Sequence, residues 1–242
     1  MIAARNIILA AFTGIAIWQA VVWATGLPHF ILPSPLRVAE AMWKSRLLIS
    51  EHALVTLSEV LIGIAIGAAL GMATAIHLAL SPSARAVMRP LLVFSQAVPV
   101  FALAPILTLW LGYGLWSKVA MAVLIIYFPV TSAFFDGLMR TPAGLIDQAR
   151  VMGASQWREM RYIRIPSALP ALGSGLRLAA VYAPIGAVIG EWVGASRGLG
   201  YLMLLANGRA KIDLMFAALI VLACMAVTLH IIVDRLAERI AR

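Results

Sequence analysis

The sequence predicts an all-α integral membrane protein with about six transmembrane helices. Its 242 residues are 63% hydrophobic and only 12% charged, and the mean hydropathy is +0.97. A soluble domain usually carries about a quarter of its residues as charged ones. Here the charged fraction is half of that, and the uncharged residues form long runs, which indicates that lipid surrounds most of the surface.

Six apolar segments account for this fold class. Each is long enough to cross about 30 Å of hydrocarbon as a helix that rises 1.5 Å per residue. The first follows Arg5 and is too long for the apolar core of a signal peptide, so we expect it to be a retained N-terminal span within residues 1–30. Residues 31–242 are then expected to form one transmembrane domain. The segments are 7–25, 53–80, 90–112, 118–138, 168–190 and 213–233.

Glycines and prolines inside these segments indicate how the helices pack. Gly63, Gly67 and Gly71 recur every four residues, a pattern that lets two helices approach closely as a packing seam. Proline kinks a helix, and in lipid the freed backbone groups are tolerated only where protein or a wet cavity covers them. The kinks therefore fit helices around a pathway, and equally fit simple kinked packing. These prolines are Pro99 and Pro105 in the third segment and Pro129 in the fourth.

The distribution of Lys and Arg predicts the orientation, because cytoplasmic loops carry an excess of these residues. With the N-terminus in the cytoplasm, eleven of the nineteen lie on the cytoplasmic side and seven on the other, and Arg177 falls within a span. Both termini are then cytoplasmic, and the loop after the fourth span is the largest cytoplasmic loop. The eleven are Arg5, Arg85, Arg89, Arg140, Arg150, Arg158, Arg161, Arg164, Arg235, Arg239 and Arg242.

That loop contains the most charged run of the chain, DQARVMGASQWREMRYIRIP at residues 147–166. On a helix over residues 145–161, the apolar and small residues fall on one side and the charged residues occupy the rest. Such an amphipathic helix can lie on lipid headgroups or be presented to a soluble partner, and the spacing alone leaves both open. Gly153 is unfavourable in the middle of a helix by about 1 kcal/mol relative to Ala, so we expect a bend or a closely packed backbone there.

The same run resembles the cytoplasmic "EAA" loop of ATP-binding-cassette importer permeases. The pattern of that loop is Glu-Ala-Ala, three residues, Gly, nine residues, Ile, any residue, Leu, Pro. Asp147, Gln148 and Ala149 stand for its first three letters, and Gly153 follows at the family spacing. Ile163 and Pro166 also keep their spacing, with Ile in place of Leu before the proline. The departures are at the first two letters, where Asp keeps the acidic start.

The resemblance implies a coupling loop over residues 140–166, whose helix docks into a groove on a separate ATPase subunit. It implies that Asp147, Gln148, Ala149 and Gly153 make the contact. Ile163 and Pro166 would join the coupling helix to the next span.

The resemblance extends from about Leu32 to the C-terminus, towards permeases of the nitrate, sulfonate and taurine importer group. The matching stretches are ILPSPLRV, SQAVPVFALAPILTLWLGYG and GEWVGASRGLGYLM, and the last two look most like the branch that imports thiamine-precursor pyrimidines. This implies a multi-pass permease of a bacterial inner membrane, in a homodimer, with two ATPase subunits and an extracytoplasmic substrate-binding protein. ATP and Mg²⁺ would be bound by the ATPase subunits, with no cofactor in this chain. The alternative substrates are sulfonates, taurine or nitrate.

Five residues are candidates for a substrate pathway. Arg177 is expected close to mid-membrane, where a charge is costly, and a structural partner such as Glu59 or Asp136 is an equal alternative to a pathway role. Glu191 and Trp192 lie at the outer end of the same span, as gate residues or as a solvated acid and an interfacial tryptophan. Gln96 and Tyr127 could offer hydrogen bonds in a cavity.

Other functions are disfavoured by the sequence. The net charge of +9 comes from basic residues at segment ends rather than on one face, which fits membrane topology better than nucleic-acid binding. A Gly-x-Ser-x-Gly motif around Ser196 matches a hydrolase elbow but is placed in an outer loop between helices. The sequence contains no Walker-type lysine loop and no Cys/His cluster with metal spacing. We therefore expect a transport subunit, with an integral-membrane enzyme as the alternative of a different class.

Overall fold

The computed structural model describes residues 2–240, with side chains from residue 9 onward, and every regular element in this range is helical. Helices that are long and apolar enough to cross a membrane are α3, α6, α11 and the continuous stretch Gln156–Gly194 that contains α8 and α9. The helices are α1 (Ile2–Thr25), α2 (Pro35–Lys44), α3 (Arg46–Leu80), α4 (Pro82–Ala97), α5 (Val100–Leu111), α6 (Leu115–Met139), α7 (Ala143–Val151), α8 (Gln156–Glu159), α9 (Ile165–Gly194), α10 (Leu199–Gly208) and α11 (Ile212–Ile240), with a π-helical turn at Met160–Arg164 between α8 and α9.

The third predicted span is not one helix. Residues 90–112 fall on α4 and α5, which meet at an angle of 99°. Val98 between them has an extended backbone, with φ −81° and ψ 120°. The ring of Pro99 disfavours helical geometry in the residue before it, so the helix ends at Ala97 and restarts at Val100. If the bent pair counts as one span, the structure has five such spans, and α1 adds a shorter apolar helix over Leu9–Thr25.

Helices α3, α6 and α9 form the centre of the molecule, and small residues let them pack closely. A Cβ at Gly63 would lie 2.7 Å from the Cβ of Ala122 on α6, and one at Gly67 would lie 2.6 Å from Cγ1 of Ile126. On the other side, a Cβ at Gly186 of α9 would lie 2.7 Å from the Cα of Ala122. Close approach of backbones is the usual basis of helix association in lipid. The prediction of a packing seam on the second span is confirmed.

The two ends of this bundle are distinct. At one end, the C-terminal end of α3 bonds α8 through Leu80, and Gly137 near the end of α6 lies against Ala168 near the start of α9. Gly173 of α9 lies against Ala237 near the end of α11. We call this the coupling end and the other the outer end. Trp18 of α1 stacks on Phe216 near the start of α11, so α1 ends and α11 begins at the outer end. The N-terminal end of α1 and the C-terminal end of α11 therefore both point towards the coupling end.

Candidate functional site

The coupling loop, residues 140–166, lies between α6 and α9 and contains two helices rather than the single one predicted over residues 145–161. Helix α7 ends at Val151, and Gly153 then adopts φ +77°. The N–H of Gly153 donates to the carbonyl of Arg150, and the N–H of Ala154 donates to that of Ala149, both at 2.9 Å. This pair of bonds is the Schellman motif, which needs a left-handed residue that Gly supplies at low cost.

Gly153 therefore produces the bend that was one of the two expected solutions. The other, close packing of a backbone, is not found, because a Cβ at Gly153 would meet no described atom within 4 Å.

Helix α7 and its end present an exposed surface at the coupling end. Val151, at 89%, is the most exposed of the large apolar side chains that the structure describes, and Met152 is 79% exposed. Of the predicted contact residues, Asp147, Gln148 and Gly153 are exposed. Ala149 is buried, so in this conformation its side chain is not available to a partner.

Glu159 cross-links α7 to the π-helical turn within the loop, and its role was missed from the sequence. Its carboxylate is almost fully buried and accepts bonds from Nε of Arg164 at 2.6 Å and Nε of Arg150 at 3.3 Å. Gln156 adds a bond from Nε2 to the carbonyl of Leu80, the last residue of α3, at 3.1 Å. The signal in the sequence is an acid, Glu159, that lies directly between arginines at 158 and 161 in a loop with five arginines and two acids, since a buried carboxylate needs such partners.

The π-helical turn at Met160–Arg164 joins this anchor to α9. Ile163 lies within the turn and is half-buried, and Pro166 follows it in the first turn of α9. Proline clashes with the carbonyl four residues before it, and the wider π turn accommodates that residue. The N–H of Ile165 accordingly donates to the carbonyl of Met160, five residues back. Ile163 and Pro166 thus lie where the coupling loop becomes the membrane helix.

The five pathway candidates are not brought together. Arg177 of α9 pairs with Asp234 of α11, with Nε and Oδ1 at 2.5 Å, so its partner is neither Glu59 nor Asp136. Tyr127 donates its hydroxyl to Oγ1 of Thr74 on α3 at 2.9 Å. Trp192 is half-exposed and lines an apolar cavity between α9 and α11.

Gln96 lines a separate cavity of about 550 Å³. The walls of this cavity are the α4–α5 break, α6 and α9. Gln96 is exposed at the C-terminal end of α4.

Glu191 is neither solvated nor free, because it caps α10. It is 1% exposed, and its Oε2 accepts the backbone N–H groups of Gly200 at 2.5 Å and Tyr201 at 3.3 Å. Its Oε1 accepts the hydroxyl of Thr56 on α3 at 2.6 Å, and Thr56 Oγ1 accepts the N–H of Leu199 at 2.8 Å. The first N–H groups of a helix have no partner within it, so these contacts hold α10 to α3 and α9.

The remaining motifs show no catalytic arrangement. Ser196 of the Gly-x-Ser-x-Gly stretch is exposed in the loop before α10. The nearby His52 accepts the N–H of Gly198 on its Nδ1 at 2.9 Å, which is a structural bond to the loop. Among residues 9–240, no group of three or more His, Cys, Asp or Glu side chains could hold a metal ion.

Comparison with known proteins agrees with this arrangement. A family model described as "Binding-protein-dependent transport system inner membrane component" matches residues 63–242. The chain belongs to this family. It is therefore a membrane permease component of an importer for a small solute.

Three relatives are similar to this chain over most of its length. A "Probable ABC transporter permease protein" of Haemophilus influenzae is 49% identical over 223 residues, which is 92% of this chain and 91% of the relative. The "Riboflavin transport system permease protein" of Chloroflexus aurantiacus is 38% identical over 227 residues, which is 93% of this chain and 85% of the relative. The "Formylaminopyrimidine transport permease protein" of Halalkalibacterium halodurans is 39% identical over 76% of this chain and 74% of its own.

A solved structure of the "MetNI methionine ABC transporter" in inward-facing conformations shares the fold. Its superposition gives a TM-score of 0.72 at 19% sequence identity and covers 82% of this chain and 99% of that chain. The permease fold of ABC importers is thus common to both.

Proposed function

We propose that this permease works as a homodimer with two ATPase subunits and an extracytoplasmic substrate-binding protein, and that α7 docks into each ATPase subunit. The observation that carries this proposal is the exposed end of α7 on a rigid base. Val151 and Met152 are exposed there, while Glu159 cross-links the loop internally and Gln156 fixes it to the end of α3. An exposed apolar cluster normally marks a contact surface. A rigid base is what force transmission from a separate subunit requires.

The mechanism that this arrangement supports is alternating access. ATP and Mg²⁺ would be held by the ATPase subunits, and closure of these subunits would bring the two copies of α7 together. Because Gln156–Gly194 is nearly continuous helix, displacement of the coupling loop reaches α9 directly. The permease would then open outward to receive solute from the binding protein, and hydrolysis of ATP would return it to its starting conformation. The permease makes no covalent change to its substrate.

Docking is tested by charge substitution on the exposed surface. Val151→Glu and Met152→Glu should abolish co-purification of the permease with its ATPase subunit in detergent, because each places a charge in the proposed apolar contact. Leu36→Glu is the matched control, since Leu36 is 70% exposed on α2 at the outer end. If both coupling-end variants retain the ATPase subunit as fully as the control, the docking proposal fails.

For the substrate, we propose a thiamine-precursor pyrimidine. Support comes from the relative named for formylaminopyrimidine, at 39% identity. The riboflavin permease, at 38% identity over more of the chain, favours a second candidate. A thermal-shift screen of the cognate binding protein separates them, because the true ligand stabilises the folded state. Stabilisation by riboflavin, taurine or nitrate without stabilisation by a pyrimidine would refute the assignment.

We propose that the coupling end is cytoplasmic, with both termini on that side. The positive-inside bias supports this, since the coupling loop carries Arg140, Arg150, Arg158, Arg161 and Arg164. Single cysteines at exposed positions of α7 should be labelled by impermeant reagents only after the cells are opened. Labelling of these cysteines in intact spheroplasts would show that the coupling end lies on the outer side of the membrane.

A further inference from the structure

The cavity beside the α4–α5 break has walls that combine aromatic and polar side chains. Its volume of about 550 Å³ lies within the range of roughly 300–1,000 Å³ of small-molecule sites. Phe128, Ser132 and Asp136 follow one another at four-residue spacing on α6 and form one wall. Gln96 from the end of α4 and Tyr182 from α9 complete the polar lining. Two aromatic rings and several hydrogen-bonding groups thus face one space.

The lining of this cavity contains an acidic side chain and no basic one. Asp136 is the single charged residue among those that line it, and no Lys or Arg does so. Within residues 9–240, no ion pair involves the Asp136 carboxylate. Arg177, the basic residue nearest in sequence to the α9 wall, is paired with Asp234 instead. An anion in this cavity would therefore meet an unneutralised carboxylate.

A second feature adds to the hydrogen-bond acceptors. Pro129 lies inside α6 and lines the cavity together with Ile125, four residues earlier. Proline has no N–H, so the carbonyl of Ile125 lacks the donor that it would have in a regular helix. Such a carbonyl is tolerated at membrane depth where a cavity or a ligand can satisfy it. A ligand with N–H donors would supply the missing bond.

We propose that this cavity is the solute site of the permease, and that it selects a neutral or cationic planar nitrogen heterocycle and excludes anions. The proposal rests on the permease function and deepens it, because it assigns charge selection to the membrane subunit as well as to the binding protein. Stacking on Phe128 and Tyr182 suits a planar ring. The Asp136 carboxylate and the Ile125 carbonyl accept from ring or exocyclic N–H groups. Sulfonates and nitrate are then unsuitable ligands for the cavity.

The test measures binding to the full-length permease in nanodiscs, without binding protein or ATPase subunit. Formylaminopyrimidine and riboflavin are the heterocyclic probes, and methanesulfonate is the anionic probe, each followed by equilibrium dialysis. A carboxylate in a partly desolvated wall should disfavour the anion by on the order of ten- to a hundredfold in Kd. At least one heterocycle should therefore bind saturably and more tightly than methanesulfonate by that factor.

Variants of Asp136 show whether this carboxylate sets the preference. The quantity compared is the Kd of methanesulfonate divided by the Kd of the heterocycle. Asp136→Asn should reduce this ratio about tenfold, and Asp136→Lys should make the anion the tighter ligand. Asp136→Glu should keep the wild-type ratio. Glu40→Gln is the control, an exposed carboxylate on α2 paired with Lys44, and should leave the ratio unchanged. Each variant is compared at equal monodispersity, and Asp136→Glu shows that substitution at this position is tolerated.

Three results would overturn the proposal. These are methanesulfonate binding as tightly as both heterocycles, an unchanged ratio in Asp136→Asn, and no saturable binding of either formylaminopyrimidine or riboflavin. Failure of the proposed function is seen separately, as failure of the permease to retain the ATPase subunit.

Discussion

Replacing Glu159 by Gln is expected to loosen the coupling loop. The Glu159 side chain is 4% exposed and that of its partner Arg164 is 16% exposed, whereas Arg150 is 61% exposed. Breaking a buried pair costs about 3–5 kcal/mol, while an exposed pair contributes at most about 1 kcal/mol. Because Gln keeps a carbonyl acceptor and Arg164 is not fully enclosed, we expect about 2–3 kcal/mol of local destabilisation. Amide exchange through local opening should then be roughly 30–150 times faster in α7 and α8.

Hydrogen–deuterium exchange with mass spectrometry measures this effect on peptides of the coupling loop. The control is Arg150→Gln, which removes only the exposed partner and should accelerate exchange about fivefold or less. Peptides from α10 at the outer end should not change in either variant. Equal acceleration in Glu159→Gln and Arg150→Gln would show that the buried Arg164 contact does not anchor the loop.

Two further substitutions test the packing of the bundle. Gly67→Leu should lower the melting temperature of the detergent-solubilised protein by several degrees, since even a Cβ at this position would lie 2.6 Å from Ile126. Gly14→Ala should not lower it, because the space around Gly14 is open. Equal melting temperatures of the two variants would refute the packing seam. Glu191→Ala should leave the N–H groups of Gly200 and Tyr201 unpaired, at a cost of about 1–3 kcal/mol each. Amide exchange should therefore become faster in α10 but not in α7. Unchanged exchange in α10 would show that the cap is dispensable.

Long apolar runs predicted the membrane helices α3, α6, α9 and α11 well, because the bilayer itself requires such runs. A kink at Pro99 was predicted, but the complete break between α4 and α5 was not, although its cause is local: Pro99 prevents Val98 from being helical. Hydropathy is uniform across this point and so conceals the change of direction. The short helix α2 was also missed, despite Ser34 as N-cap and Pro35 at its first position.

The positions of Gly153 and Pro166 predicted where the helices of this loop end and begin, because each has a backbone role that depends on residue type. Contacts between distant residues could not be located in this way. Arg177 and Asp234 are separated by 57 positions, and their pairing depends on how α9 crosses α11. The carboxylate of Glu191 was expected at the membrane surface, but the fold places the N-terminal end of α10 over it.

Contacts at both ends hold α3 and α9 together. At the coupling end, Gln156, one turn before the π-helical turn, donates to the carbonyl of Leu80. At the outer end, Thr56 donates to Glu191. Helix α6 is packed between α3 and α9 through close contacts along its length. By contrast α4, which is described in full, has no buried residue. The cavity is therefore bounded by a rigid three-helix body on one side and by the end of the weakly packed α4 on the other.

This contrast predicts which wall moves during transport. Spin labels at Val93 of α4 and Ile185 of α9, both exposed, should change separation when ATP binds to the assembled importer. Labels at Leu54 of α3 and Ile185 should keep theirs, because the contacts at both ends of α3 and α9 must break before these helices separate. Pulsed electron paramagnetic resonance measures both distances. A larger change in the Leu54–Ile185 distance would place the moving boundary between α3 and α9, and the contacts of Gln156 and Thr56 would then act as latches that open in each cycle.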